Sequence, residues 1–185
     1  MKTDNKTLRF ITRSAMGVAL VIVAQLLGKA FPAGAVITGP FGVNQLVTGS
    51  LVNCVLFVFT AIGGLWCGVT VGIVSALLAS VIGVGPAVLA VVPLVACGNA
   101  LLCVVFSLVT EKLHASRPAG AVAAAVCKCA FLWLTVPQLL KLVGAPEKKA
   151  AALSVMFSWP QGCTALIGGA LALLIIPRLK TMKEV

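Results

Sequence analysis

Acidic residues are scarce in this sequence: four Asp and Glu stand against fourteen Lys and Arg in 185 residues. Tyrosine does not occur, and histidine occurs once. Charged residues make up 10% of the chain, whereas a soluble domain averages about 25%. Because a water-soluble surface cannot be built from so few charges, the 61% hydrophobic content predicts an integral membrane protein.

The scarcity of carboxylates also narrows the range of functions that this protein can have. They lie at the ends of apolar segments or between them, as Asp4, Glu111, Glu147 and Glu184. General acid–base catalysis and proton coupling usually need a buried ionisable pair, which the apolar segments do not supply. The sequence also has no phosphate-binding loop. We therefore expect a protein that is not an enzyme and that hydrolyses no ATP by itself.

Long apolar segments dominate what is present. A bilayer core about 30 Å thick needs roughly 20 apolar residues per helix, and six such segments can be drawn. We predict one all-α membrane domain over residues 1–185. No small-residue cleavage motif follows the basic start, so we expect no cleavable signal peptide. The predicted spans are Leu8–Gly28, Val43–Ile62, Gly64–Ile82, Pro86–Val109, Ala119–Val143 and Ala150–Ile176.

The basic residues predict the orientation of the chain. Loops with more Lys and Arg stay in the cytoplasm. With a cytoplasmic N-terminus, nine basic residues lie inside, four lie outside, and Lys128 falls within the fifth span. We therefore expect both termini in the cytoplasm and a multi-pass protein of the bacterial cytoplasmic membrane. The net charge of +10 does not indicate a nucleic-acid partner, because the basic residues sit at helix ends rather than in an arm or groove.

Polar residues inside the spans are costly and therefore informative. On the predicted topology, those of the second, fifth and sixth spans lie in the outer half, with Lys128 near mid-depth. This clustering predicts a cavity that opens outward. For Asn53 and Asn99, interhelical hydrogen bonds are the favoured interpretation. Trp159 could stack on a flat ligand or simply pack. The candidate substrate-binding residues are Asn44, Gln45, Thr48, Asn99, Lys128, Thr135, Gln138, Ser154, Ser158, Trp159 and Gln161.

The stretch "AVCKCAFLWL" places Lys128 between two cysteines. Cys127 and Cys129 are two apart on a helix and point in nearly opposite directions, so we do not expect a metal site. A lysine at mid-depth costs about 2.5–3.5 kcal/mol to insert, and a bound carboxylate or phosphate would offset part of that cost. The alternative is a structural lysine that bonds to backbone carbonyls or extends toward the membrane surface.

Several segments carry a resemblance to a known family. Ala15 and Ala19 form a small-xxx-small pair that would let another helix approach closely. Together with this pair, the basic N-terminus, the six short spans and the segments "TGSLVNCVLFV", "VPLVACGNALL" and "FSWPQGCTALIGG" resemble the S components of energy-coupling factor (ECF) transporters. The resemblance covers nearly the whole chain.

The resemblance implies a small subunit that captures a vitamin or related micronutrient. Such a subunit docks on a transmembrane coupling protein and two ATPase subunits, and Ala15 and Ala19 would face the coupling protein. The solute would lie in the outer half among helices 4 to 6. The segment Gly28–Gly42, with four glycines and two prolines, would close over it as a lid.

Lys128 favours one class of vitamin over others. Vitamins with a carboxylate, such as pantothenate, nicotinate, lipoate, biotin or folate, fit a buried lysine. The absence of intramembrane carboxylates argues against thiamine-like or metal-ion cargo. A nucleobase derivative, riboflavin or cobalamin remains open. The alternatives in function are a small membrane protein that regulates a partner, and an independent uniporter or channel.

Overall fold

The computed structural model of the protein describes residues 5–31, 36–38 and 41–181. Within these ranges, six helical spans are long and apolar enough to cross a membrane, which confirms the predicted all-α membrane fold. The helices and strands are α1 (Asn5–Lys29), β1 (Val36–Thr38), β2 (Phe41–Gly42), α2 (Val43–Gly63), α3 (Leu65–Ile82), α4 (Val92–Ser107), α5 (Arg117–Leu142), α6 (Glu147–Met156) and α7 (Trp159–Thr181).

Two short segments extend α4 into a full span. A 3₁₀ turn at Leu89–Val91 precedes it, and a π-helical turn at Leu108–Lys112 follows it. The 24-residue span Leu89–Lys112 then matches the bilayer thickness. Two further helices, α6 and α7, together form the sixth span.

Helix α2 lies at the centre of the bundle, where it packs against α1, α3, α4 and α7. Its contact with α7 is close because Gly168 faces the α2 backbone. A Cβ atom at Gly168 would lie 2.6 Å from the carbonyl oxygen of Ser50 and 2.8 Å from the backbone nitrogen of Cys54. Only glycine lets the backbones of α2 and α7 come this close. Small residues are common where membrane helices pack tightly.

The end of the bundle that holds the N-terminus of α1 is filled by apolar side chains. Phe57 of α2 and Phe106 of α4 meet edge to face there, with ring centroids 5.0 Å apart. Leu56, Val71 and Leu102 surround them and are fully buried. This apolar cluster closes one end of the bundle, and the buried side-chain amides of Gln25, Asn53 and Asn99 lie beyond it.

The sixth span is broken, whereas the sequence predicts one continuous helix over Ala150–Ile176. α6 ends at Met156 and α7 begins at Trp159. The physical reason is Pro160, which has no N–H to donate to the carbonyl of Met156 one turn earlier. The break therefore releases the Met156 carbonyl oxygen from the helix ladder.

The segment before α2, predicted as a lid, contains a short antiparallel pairing. Thr38 of β1 pairs with Phe41 of β2. The Phe41 ring is buried and meets Trp159 edge to face, with centroids 5.4 Å apart. This contact attaches the described part of the segment to the start of α7. Residues 32–35 and 39–40 of the predicted lid lie outside the described residues.

Candidate ligand-binding site

A cavity of about 870 Å³ lies at the end of the bundle opposite the apolar cluster. Its wall combines the end of α1, the start of α2, the end of α3, the start of α4 and the break between α6 and α7. Lys128, from the middle of α5, completes it. The volume falls within the usual range of small-molecule sites, about 300–1,000 Å³.

Lys128 forms the charged centre of this cavity. The residue is 3% exposed, and its Nζ donates hydrogen bonds to Asn53 Oδ1 and Asn99 Oδ1, each at 2.7 Å. These three side chains, which we call the lysine cluster, join α2, α4 and α5. Lys128 therefore bonds to side-chain amides rather than to backbone carbonyls, and it does not extend toward the membrane surface.

The two asparagines are held so that their oxygens face the lysine. Asn99 Nδ2 donates to the Gly72 carbonyl at 3.0 Å and to Ser75 Oγ at 3.2 Å. Asn53 Nδ2 lies 3.4 Å from Thr164 Oγ1. Because both amide nitrogens are engaged elsewhere, the amide orientations are fixed by their partners. Both asparagines thus make interhelical hydrogen bonds and also line the cavity.

No carboxylate of the described residues lies beside the charge of Lys128. None of the described residues that line the cavity is acidic, and the amides of the lysine cluster are neutral. An ammonium group carries three N–H donors, of which the two asparagines accept two. No other described side chain or carbonyl accepts from Nζ. Two hydrogen bonds to neutral amides therefore offset only part of the free energy that it costs to bury the Lys128 ammonium.

The break in the sixth span supplies a second polar region of the wall. The released Met156 carbonyl oxygen lies 3.3 Å from Gln45 Nε2 and 3.4 Å from Gln161 Nε2. Two glutamines thus replace the backbone donor that Pro160 lacks. Irregular backbone at membrane depth is tolerated where it borders protein or a cavity, and this site fits that rule.

A third polar region lies between α1 and α3. Gln25 is 3% exposed and donates from Nε2 to the Ser75 carbonyl at 3.0 Å. Its Oε1 is buried and has no hydrogen-bond partner among the described residues. Gln45 Oε1 is in the same condition. Nearer the surface, Lys29 donates to the Ile82 carbonyl and lies in the cavity wall.

The structure brings about half of the predicted substrate-binding residues together. Four of them lie near helix ends that border the cavity, whereas Asn99 and Lys128 come from the middle of α4 and α5. The residues in the wall are Asn44, Gln45, Thr48, Asn99, Lys128 and Gln161.

The remaining candidates lie elsewhere because their hydroxyl groups bond locally or their side chains face outward. Thr135 donates to the Phe131 carbonyl and Ser158 to the Val155 carbonyl, each at 2.7 Å. Gln138 is exposed. Ser154 lines a shallow groove between α5 and α6, and Trp159 packs on Phe41 outside the cavity wall.

Four polar residues of the wall are not among the sequence candidates: Gln25, Lys29, Asn53 and Ser75. Gln25 carries a signal in the sequence, because it is the one strongly polar residue between Gly17 and Gly28 of α1. For Asn53, the sequence favours interhelical hydrogen bonds over a place in the cavity. Ser75 gives little signal, because single serines are common in membrane helices and often bond to their own backbone.

The proposed docking residues lie on a different surface. Ala15 and Ala19 are exposed on α1, whereas Gly17 and Val21 of the same helix are buried against the bundle. The two cysteines beside Lys128 also separate: Cys127 is exposed, and Cys129 Sγ lies 3.3 Å from the Ser158 carbonyl oxygen.

Comparison with protein-family models, curated proteins and solved structures finds no significant match to this chain.

Proposed function

We propose that this protein is the substrate-binding S component of an ECF-type transporter. It captures a vitamin or related micronutrient from outside, and a coupling protein with two ATPase subunits drives uptake. The observation that carries the proposal is the cavity of about 870 Å³ with a buried lysine at its centre and no acidic residue among its described lining. Such a site is suited to an anionic small molecule.

The lysine cluster supports a carboxylate as the favoured ligand group. Lys128 has one N–H donor left after Asn53 and Asn99 have accepted the others. A hydrogen bond to a charged group contributes roughly 1.5–3 kcal/mol. Lys29 in the wall adds a second positive charge that attracts an anion toward the cavity.

The apolar cluster argues against an independent channel or uniporter. Below the lysine cluster, the described part of the bundle is filled by Phe57, Leu102 and Phe106, which are almost fully buried. The cavity therefore ends at the lysine cluster. A protein with a one-sided cavity can bind a solute, but it needs a large rearrangement to release the solute on the other side. An external motor meets this need.

The exposed face of α1 fits docking on a coupling protein. Ala15 and Ala19 lie side by side on that face and present no bulky group. In lipid, helix association depends on close packing, which small residues permit. The cavity and this face use different residues, so ligand capture and docking can be separated by mutation.

Native mass spectrometry of the purified protein tests ligand capture. A co-purified small molecule that also binds in calorimetry would support the proposal, and the complete absence of small-molecule binding would favour a regulatory protein. Proteoliposomes then test the transport class. We expect uptake of that molecule only when the coupling protein, the ATPases and ATP are present. Uptake by this protein alone would identify a uniporter instead.

A further inference from the structure

Gln25 offers a hydrogen-bond acceptor that no other described residue of the protein uses. Its Nε2 donates to the Ser75 carbonyl, and a carbonyl can only accept, so the amide cannot be turned around. The unpartnered atom is therefore the oxygen. Gln45 is fixed in the same way, because its Nε2 donates to the Met156 carbonyl. Both oxygens are buried, neither has a donor in the part of the chain that the structure describes, and both side chains line the cavity.

Unpartnered buried acceptors are rare in folded proteins, and each calls for a physical explanation. The Gln25 oxygen is closed off from water in this structure, so a ligand donor reaches it only when the Gln25 side chain shifts toward the cavity. The same part of the wall is lined by Ala76 and Ala79, whose small side chains oppose such a shift least. A donor on the ligand would complete the hydrogen bonding of this wall.

The cavity therefore offers two kinds of polar contact at different places. Lys128 has a spare donor in the middle of the bundle, whereas Gln25 and Gln45 have spare acceptors toward α1 and the helix break. A simple carboxylate has no hydrogen to donate, so it can accept a hydrogen bond from Lys128 but cannot pair with the glutamine oxygens. A molecule with a carboxylate and an N–H group can satisfy both kinds, which adds affinity and selectivity.

We propose that the ligand is a small carboxylate that also carries an amide, ureido or ring N–H, with the carboxylate on Lys128 and the N–H on Gln25 Oε1. This inference rests on the proposed function and narrows its ligand class. Among the carboxylate vitamins considered from the sequence, pantothenate, biotin and folate carry such an N–H. Nicotinate and lipoate have none and are expected to bind weakly.

Calorimetry on the full-length purified protein tests this ligand class. The probes are these five vitamins together with any molecule that native mass spectrometry identifies. We expect the tightest ligand to carry both groups and its N-methyl analogue to bind about tenfold more weakly, because one hydrogen bond is lost. Gln25→Met should weaken the N–H ligand by about tenfold and leave the N-methyl analogue unchanged.

Gln138→Met is the matched control, because Gln138 is exposed and lies outside the cavity wall. It should bind every probe as the wild type does. If Gln25→Met fails to fold, the N-methyl comparison on the wild-type protein still decides. Tightest binding of a carboxylate without N–H, or equal binding of the N-methyl analogue, would overturn this inference and leave the proposed function standing. If no probe binds and no molecule co-purifies, the proposed function itself fails.

Discussion

Lys128→Met separates a ligand-binding lysine from a purely structural one. Methionine has a similar length and no charge, so the substitution removes one donor from the cavity and keeps the volume. It also leaves Asn53 Oδ1 and Asn99 Oδ1 without the ammonium that both now contact at 2.7 Å. The effects on stability and on affinity can be estimated separately.

Two opposing contributions to the free energy of unfolding nearly cancel in Lys128→Met. Removing a mid-depth charge recovers about 2.5–3.5 kcal/mol on insertion scales. Leaving two buried acceptors without a donor costs about 1–3 kcal/mol each. The net result is a loss of about 1 kcal/mol, which corresponds to a fall in Tm of about 2–4 °C for a chain of this size.

For affinity, no compensation exists. A charge-assisted hydrogen bond of about 1.5–3 kcal/mol corresponds to a loss on the order of 10–100-fold in binding of an anionic ligand. Lys128→Arg should also bind poorly, because the planar guanidinium does not replace a compact ammonium between two asparagines. Calorimetry and thermal unfolding on the same preparation, with the molecule identified by native mass spectrometry, give both quantities.

Lys141→Met is the matched control, since Lys141 is an exposed lysine on the same helix. It should change neither the Tm nor the affinity. Wild-type affinity in Lys128→Met would refute the role assigned to the lysine and would favour a neutral ligand. A large fall in Tm with unchanged affinity would assign Lys128 to the structure alone.

Three further substitutions test other parts of the structure. Gly168→Ala places a Cβ 2.6 Å from the Ser50 carbonyl oxygen, so we expect helices α2 and α7 to separate and the Tm to fall by several degrees in a thermal melt. Pro160→Ala restores a backbone donor for the Met156 carbonyl, so we expect a straighter sixth span and ligand affinity several-fold weaker in calorimetry. Ala19→Leu should prevent co-purification with the coupling protein while ligand binding stays at the wild-type level.

Each of these has a contradictory outcome, and Gly168→Ala and Ala19→Leu each have a matched control. Ala170→Leu adds bulk at an exposed position of α7 and should not lower the Tm. An unchanged Tm in Gly168→Ala would show that the two helices can move apart without cost. Unchanged affinity in Pro160→Ala would separate the helix break from binding. Met16→Leu keeps the bulk of the exposed face of α1, and equal co-purification of Ala19→Leu and Met16→Leu would put the docking face elsewhere.

The six spans could be predicted because apolar length alone indicates a membrane helix. The sequence does not predict the break at Pro160, although the proline is visible, because apolar segments continue on both sides of a polar interruption only a few residues long. The site was predictable where polar residues lie at helix ends, as with Asn44 and Gln45. The site was not predictable where a residue's place in the cavity wall depends on which neighbouring helix its side chain faces. Thr135 is as polar as Thr48, yet it bonds to its own helix, and no pattern along one helix shows which neighbour it faces.

The shared carbonyl of Met156 has a consequence for biosynthesis. Its partner Gln45 lies 111 residues earlier in the chain, on the second of the six spans. The Gln45 amide therefore enters the membrane before its acceptor, because membrane helices form first and assemble afterwards. Within the sixth span, Gln161 Nε2 also lies 3.4 Å from the Met156 carbonyl oxygen, so Gln45 supplies the second of two donors. Assembly of this wall depends on insertion of the sixth span, and a chain that is truncated before Glu147 would expose polar atoms of α2 to lipid and to membrane quality-control proteases.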